Sequence, residues 1–285
     1  MDDLIVERFK RSRDPIGARA FLDRLGRVAA DPRAADPSNP VERGLADLMG
    51  RTCAGRDTAW RERLTGWLPN VFDDALWEVD NLASGRIPDP VDYIGMRRRS
   101  GGAGWAAQLV ERALHLDLPP AVHEQPAMQR LHEAFEDVVD LHNDLVSYRR
   151  ETEYEQDVSN HVVVTAHFLT THALEAAVLT RRLLQERLSL FDRLATETLT
   201  TEASAGRDIA RCLQGLKDWL AGDYAWHEHT TRYRPEAWQH QRTHPTPVPA
   251  RPNGLGTAAA DLPRLLRQDS HASPGRADTG VHPAG

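Results

Sequence analysis

The sequence predicts an all-α protein, and three observations carry that reading. Apolar residues recur at helical spacing through nearly every segment up to about Tyr233. Proline and glycine stand mainly at segment ends, where they open and close helices. β-Branched alternation bounded by turn signals is nearly absent, so no sheet is expected. There is no internal repeat.

Residues 17–25 place Phe21, Leu22 and Leu25 on one helical face. Pro40 opens the next helix, through Leu45 and Leu48, in the favoured first-turn position. A further helix over about 68–82 stops at Gly85, where Pro88 and Pro90 bar its continuation. Gly101-Gly102 break the chain after Arg97-Arg98-Arg99. A long helix is predicted over 128–151, then helices over 161–186, 188–199 and 205–233. From Pro235 the composition changes: Pro245, Pro247, Pro249, Pro252, Pro263 and Pro274 punctuate a polar stretch. Residues 1–234 therefore read as one helical domain and 235–285 as a mostly disordered tail, with one short turn allowed at Leu262, Leu265 and Leu266.

Composition excludes several function classes. The hydrophobic fraction is 40% and the charged fraction 27%, as in ordinary soluble proteins. A formal net charge of −7 and the lack of a basic stripe argue against nucleic-acid binding. Cys53 and Cys212 are the only cysteines, which suggests neither a disulfide framework nor a thiolate metal site and suits a reducing cytoplasm. Met1-Asp2-Asp3 opens without a basic or apolar run, so no signal peptide is read. Residues 161–180 are apolar but carry three histidines and Glu175, and read as a buried core helix with no membrane role.

The stretch richest in chemistry is Asn143-Asp144-Leu145-Val146-Ser147-Tyr148-Arg149-Arg150-Glu151. Steps of four bring Asn143, Ser147 and Glu151 to nearly one face, a ladder of oxygens about 12 Å tall. Such mixed oxygens suit Mg²⁺ when substrate phosphates complete its shell, and Arg150 could meet a phosphate. A solvated polar face is the plainer alternative for the ladder. A frayed end is the plainer alternative for Asp2, Asp3 and Glu7, and a helix end offsetting the macrodipole for Arg97. A second acidic run, Asp73-Asp74 with Glu78, lies only 70 positions before Asn143 and reads as an acidic helix face with Trp77 packed inward. Neither His161, His167 and His172 nor His227 and His229 have metal-ligand spacing, so they read as structural or surface residues.

The 143–151 segment resembles the second metal-binding motif of class I terpene synthases, N-D-x-x-S-x-x-[KR]-E. Other motifs follow in the family's order. Asp2-Asp3-Leu4-Ile5-Val6-Glu7 resembles the aspartate-rich motif, although the middle residues depart from the usual His-Phe-Leu. Arg97 lies 46 positions before Asn143, where the family keeps a diphosphate-sensing arginine, and Arg232-Tyr233 matches its terminal pair. The intervening text is similar to the N-terminal cyclase domain of bacterial germacradienol/geosmin synthases. That likeness rests on Glu7-Arg8-Phe9-Lys10-Arg11, residues 17–25 and 39–48, Met96-Arg97-Arg98 and Gly254-Leu255-Gly256-Thr257.

The resemblance implies a class I terpenoid synthase α-helical bundle, incomplete at the N-terminus, since the family has helices before its aspartate motif. It implies a lyase that ionises farnesyl diphosphate with Mg²⁺, three ions in all, and cyclises the cation to germacradienol or germacrene D. Asp2, Asp3 and Glu7 would form one metal wall, and Asn143, Ser147 and Glu151 the other. Arg97, Arg150, Arg232 and Tyr233 would hold the diphosphate. Gly101 would turn a carbonyl toward substrate, its dihedral freedom being the reason, and Trp226 would line the cation pocket, ahead of Trp105 and Trp219. A truncated, inactive remnant is the alternative, and a homodimer is one open oligomeric state. A chain-elongating prenyltransferase would instead carry a second aspartate-rich motif where the Asn-Ser-Glu ladder stands.

Overall fold

The computed structural model describes residues 2–31, 35–201 and 206–238; the remainder of the expected tail, with residues 254–257, lies outside them. Every regular element among the described residues is helical. The chain starts with α1 (Asp2–Ile5), which passes into a π-helical turn over Val6–Lys10. The next helices are α2 (Pro15–Ala30), α3 (Pro40–Cys53), α4 (Thr58–Ser84) and α5 (Pro90–Ser100). After them come α6 (Ala103–Ala113), the short α7 (Pro120–His123) and α8 (Pro126–Arg150), which continues as a π turn over Glu151–Glu155. The last elements are α9 (His161–Leu169), α10 (Ala173–Thr201), α11 (Gly206–His229) and α12 (Pro235–Trp238).

Local chemistry sets most boundaries. The side chains of Asp14, Asn39, Asp57, Asp89 and Asn160 each accept a hydrogen bond from a backbone N–H of the helix they precede. Pro15, Pro40 and Pro90 stand at first helical positions, where a missing N–H costs nothing. Gly85, at φ 69°, ends α4 in the left-handed region.

Three elements differ from the sequence expectation. α4 starts ten residues early, at Thr58 rather than Leu68, and passes straight through Pro69. An internal proline costs about 3 kcal/mol, but Trp60, Leu64 and Leu68 are buried in one cluster with α2 and hold the helix across it. The 161–180 stretch is two pieces, bent by 117° around Thr170, whose φ is 52°. Its second piece runs unbroken into α10 and leaves Leu174, Val178 and Leu179 exposed. No single helix among the described residues is long and apolar enough to cross a membrane. At the far end α11 stops at His229, so Arg232 and Tyr233 lie on a following turn, and Trp238 of α12 packs beside Tyr154.

Two apolar cores hold the bundle. One joins α6, α8, α10 and α11 through Leu131, Phe135, Phe191 and Leu213. The other joins the N-terminal segment, α2 and α4 through Phe9, Leu22, Leu64 and Phe72. α8 makes its most extensive contact with α10 and turns its polar edge toward the space between the two cores.

Candidate active site

That polar edge borders a cavity of about 340 Å³, walled by residues from the N-terminal turn, α4, α5, α8 and α11. Asn143 and Glu151 line it. Ser147, one turn from each, is 1% exposed, and its Oγ has no hydrogen-bond partner. A buried hydroxyl without a partner costs about 1–3 kcal/mol, and a cation at this face would relieve it.

Arg97 crosses from the last turn of α5 to this ladder. Its Nη2 donates to Asn143 Oδ1 at 2.9 Å, and its Nε donates to Asp144 Oδ1 at 3.2 Å. Burial opposes the Arg97 charge, but Asp144, then Tyr93, Asp140 and Glu151, more than offset it, and its pKa is raised well above the ordinary value. Asn143 Nδ2 donates to the Tyr233 hydroxyl at 2.9 Å and faces His227 Nε2 at 3.2 Å. One amide therefore joins three residues separated by up to 136 positions in sequence, from Arg97 to Tyr233 (233 − 97).

Asp3 does not itself line the cavity and is held by two arginines that do. Arg150 Nη2 donates to Asp3 Oδ1 at 2.7 Å, and Arg232 Nη1 donates to Asp3 Oδ2 at 2.8 Å. The Arg232 bond is the main reason the Asp3 carboxyl is held below its usual pKa, against some desolvation. Glu7 departs from the expected pairing with Asp3. It is half exposed, meets Arg11 Nη2 at 3.0 Å, accepts from the Tyr154 hydroxyl at 3.2 Å and does not line the cavity. Its i,i+4 arginine draws it outward. The side chain of Asp2 lies outside the described part of the structure.

Gly101 also requires a correction. Its φ of −65° is an ordinary helical value, and the positive φ, 76°, belongs to Gly102. Gly101 is needed for space, because a Cβ there would stand 1.8 Å from Asp140 Oδ1. Trp226 and Trp219 both line the cavity, whereas Trp105 packs against the second core. The Asp73–Glu78 run is no uniform surface face. Asp73 is exposed, Asp74 is buried and accepts from Arg99 at 3.2 Å, and Trp77 is half-buried beneath the Arg86 guanidinium.

Sequence reasoning passed over several residues of this site. Asp144 is fully buried and accepts from the Tyr93 hydroxyl at 2.7 Å and from the His161 N–H at 2.8 Å. Lys10, 4% exposed, donates to Glu78 at 2.8 Å and to Asp157. Burial raises the Asp157 carboxyl, but Lys10 more than offsets it and its pKa is lowered; at Glu78 burial wins and the pKa is raised. His142, Asp223 and His227 come within 4.8 Å of one another, although no single helix spaces them as ligands. The available signal was the Asp223/His227 step of four opposite His142, and it needs the α8–α11 pairing to be visible.

The acids outnumber what the local cations can satisfy. Burial, then neighbouring charge, pushes Asp140 up to about 8, with Asp144 and Asp137 contributing. Burial, then Asp144, raises Glu151 well above the usual carboxylate value. Asp140 Oδ2 has no hydrogen-bond partner. Carboxyl groups held out of water beside one another favour an incoming cation, so this donor set of amide, hydroxyl and carboxylate fits a divalent, oxygen-seeking ion.

Comparison with known proteins gives the family of the chain. The profile of terpene synthase family 2, C-terminal metal binding, matches residues 1–189. The chain is 28% identical over 232 residues to 10-epi-cubebol synthase of Sorangium cellulosum, covering 81% of this chain and 73% of that one. It is 30% identical over 197 residues to sesquiterpene synthase 1 of Postia placenta, covering 69% of this chain and 58% of the relative. Its fold superimposes on linalool/nerolidol synthase of Streptomyces clavuligerus in complex with 2-fluorogeranyl diphosphate, with a TM-score of 0.70 at 23% identity, over 79% of this chain and 77% of that one.

Proposed function

The chain belongs to terpene synthase family 2 and is a terpene synthase, and from that premise we propose that it is a Mg²⁺-dependent sesquiterpene cyclase acting on farnesyl diphosphate. The observation that carries this reading is the partnerless Ser147 hydroxyl, buried between Asn143 and Glu151, which line a cavity together with Arg97, Arg150 and Arg232. Asn143, Ser147 and Glu151 would hold metal on one side, and Asp3 on the other. Bound Mg²⁺, three ions by family resemblance, supplies Lewis-acid charge to the departing diphosphate.

The protein's own groups do the rest. Arg97 presents a guanidinium held at fixed angle by Asn143 and Asp144, so it can meet phosphate oxygens without reorganising. Arg150 and Arg232 share the single charge of Asp3 before substrate arrives, and Arg150 also pairs with Glu155. An anionic diphosphate competes for both, and the freed Asp3 carboxylate is then available to metal. The Tyr233 hydroxyl accepts from Asn143 and keeps its own proton for a phosphate oxygen at the same edge. Val71, Ala75, Val139, Trp219 and Trp226 give the cavity apolar and aromatic surface, which stabilises a carbocation and keeps out water. Germacradienol with germacrene D is the proposed product, on the sequence likeness described above.

A second reading is a non-catalytic relative, favoured by one observation: Asp3 is occupied by two arginines and Glu7 faces away. Incubation with farnesyl diphosphate, with and without Mg²⁺, followed by gas chromatography–mass spectrometry separates the two. A Mg²⁺-dependent cyclic C15 product supports the cyclase; absence of any product supports the inert relative.

A further inference from the structure

We propose that His142, Asp223 and His227 form a second divalent-metal site, one that takes an imidazole-seeking ion of the Zn²⁺ class and is distinct from the oxygen ladder. The three side chains come from two facing helices, α8 and α11, with Asp223 and His227 one turn apart. Asp223 Oδ2 stands 3.4 Å from His142 Nδ1 and 3.4 Å from His227 Nδ1. Ligands about 2.0–2.1 Å from a tetrahedral Zn²⁺ lie about 3.3–3.4 Å apart. Two of the three separations therefore match the edges of a zinc tetrahedron and are long for hydrogen bonds, and the third pair, His142 and His227, lies within 4.8 Å.

The surroundings fix the rings. His142 stacks on Tyr224 with centroids 5.3 Å apart, and His227 lies 5.4 Å from Tyr233 with the ring planes 8° apart. Two imidazoles and one carboxylate, with room for a fourth ligand from the cavity that Asp223 and His227 line, suit Zn²⁺ and do not suit Mg²⁺, which prefers oxygen.

Occupation of this site would reach the ladder through His227. In the metal-free arrangement His227 Nδ1 donates to the Asp223 carbonyl at 2.9 Å, leaving Nε2 to accept from Asn143 Nδ2 at 3.2 Å. Metal on Nδ1 leaves the ring proton on Nε2, so two donors then face each other and the Asn143 amide must turn. Zn²⁺ here and Mg²⁺-diphosphate at the ladder should therefore oppose one another.

The test uses the full-length, metal-stripped protein without substrate, so it does not depend on the proposed reaction. Zn²⁺ is titrated in competition with a chromophoric chelator, and Co²⁺ binding is followed by its visible absorption, in the wild type, His142→Ala and Asp223→Asn. Far-UV circular dichroism checks that each variant is folded. The expected result is Zn²⁺ affinity lowered about a hundredfold in either folded variant, with loss of the tetrahedral Co²⁺ band. His240, His244, His271 and His282 can also bind metal, so the difference between wild type and variants decides. Equal affinity in wild type and a folded variant, or no Zn²⁺ binding by the wild type, overturns the proposal.

Discussion

The two sides of the cavity are built on different foundations. Asn143 and Ser147 lie near the end of a 25-residue helix clamped by α10 and α11, with Glu151 at the start of the π turn that extends it. Asp3 lies on a four-residue helix, is 59% exposed, and has spent its oxygens on two arginines. Around the ladder, Arg97 and Tyr233 hold Asn143, and Tyr93 and Arg97 hold the adjoining Asp144, through hydrogen bonds largely shielded from solvent. Under the proposed function this contrast would be a division of labour: the ladder is prepared in advance, and Asp3 would exchange partners when substrate arrives.

The sharpest way to break this contrast is Asn143→Ala, which removes an oxygen of the ladder and the joint between Arg97 and Tyr233. Turnover of farnesyl diphosphate should fall about 10²–10³-fold, comparable to loss of a preorganised charge-stabilising group. Steady-state kinetics showing less than a tenfold fall would mean that the ladder does not set the rate.

Lys10 ties the turn that follows Asp3 to Glu78 and to Asp157 beyond the ladder. Lys10→Met would leave two buried carboxylates without their cation. Urea unfolding should show a loss of about 3–5 kcal/mol, the usual result of breaking one side of a buried pair. A loss below about 1 kcal/mol would show that water already reaches this cluster.

On the N-terminal wall itself, Asp3→Asn should lower kcat/KM about tenfold and raise the Mg²⁺ concentration needed for half-maximal rate. Glu7→Gln should change either value less than about twofold, since Glu7 pairs with Arg11 at the surface and accepts from Tyr154, away from the cavity. Equal effects would mean that Glu7 swings into the site during turnover.

A further test of the same contrast concerns pH. Burial raises Asp140 to about 8 and Glu136 to about 9, from ordinary values of 3.8 and 4.5. The folded protein thus keeps protons that the unfolded chain releases above pH 4–5. This stabilisation is complete below that range and is lost as pH rises through 8 to 9. Asp3 and Asp157 shift downward, so their contribution is lost only on acidification. The melting temperature of the metal-free protein should fall between pH 5 and 9, by about 2–4 °C for each kcal/mol lost in a domain of this size. Asp140→Asn should flatten part of that slope; an unchanged slope would assign it elsewhere.

Much of the site was legible because its groups are local. The ladder is an i, i+4, i+8 pattern, and a helix places such residues on one face whatever surrounds it. Arg97 and Arg232-Tyr233 were singled out by order along the chain, and the structure brings Arg97 and Tyr233 to Asn143 and Arg232 to Asp3. Glu7 was misplaced because an exposed side chain goes to its nearest charge, here Arg11. Gly101 was selected for its dihedral freedom, whereas its actual constraint, Asp140, lies 39 positions away (140 − 101) on another helix. Lys10, Asp144 and the His142–Asp223–His227 cluster acquire meaning only once distant helices pack.

The sequence by itself determined the helical character of the chain, most of the caps and breaks, and the face on which Asn143, Ser147 and Glu151 stand, because these depend on spacing and on backbone chemistry within a few residues. Tertiary structure decided which carboxylates stay buried and protonated, which arginines are already paired, and that Pro69 sits inside a continuous helix. Those outcomes follow from desolvation and from contacts between residues far apart in the chain, and no local pattern encodes them.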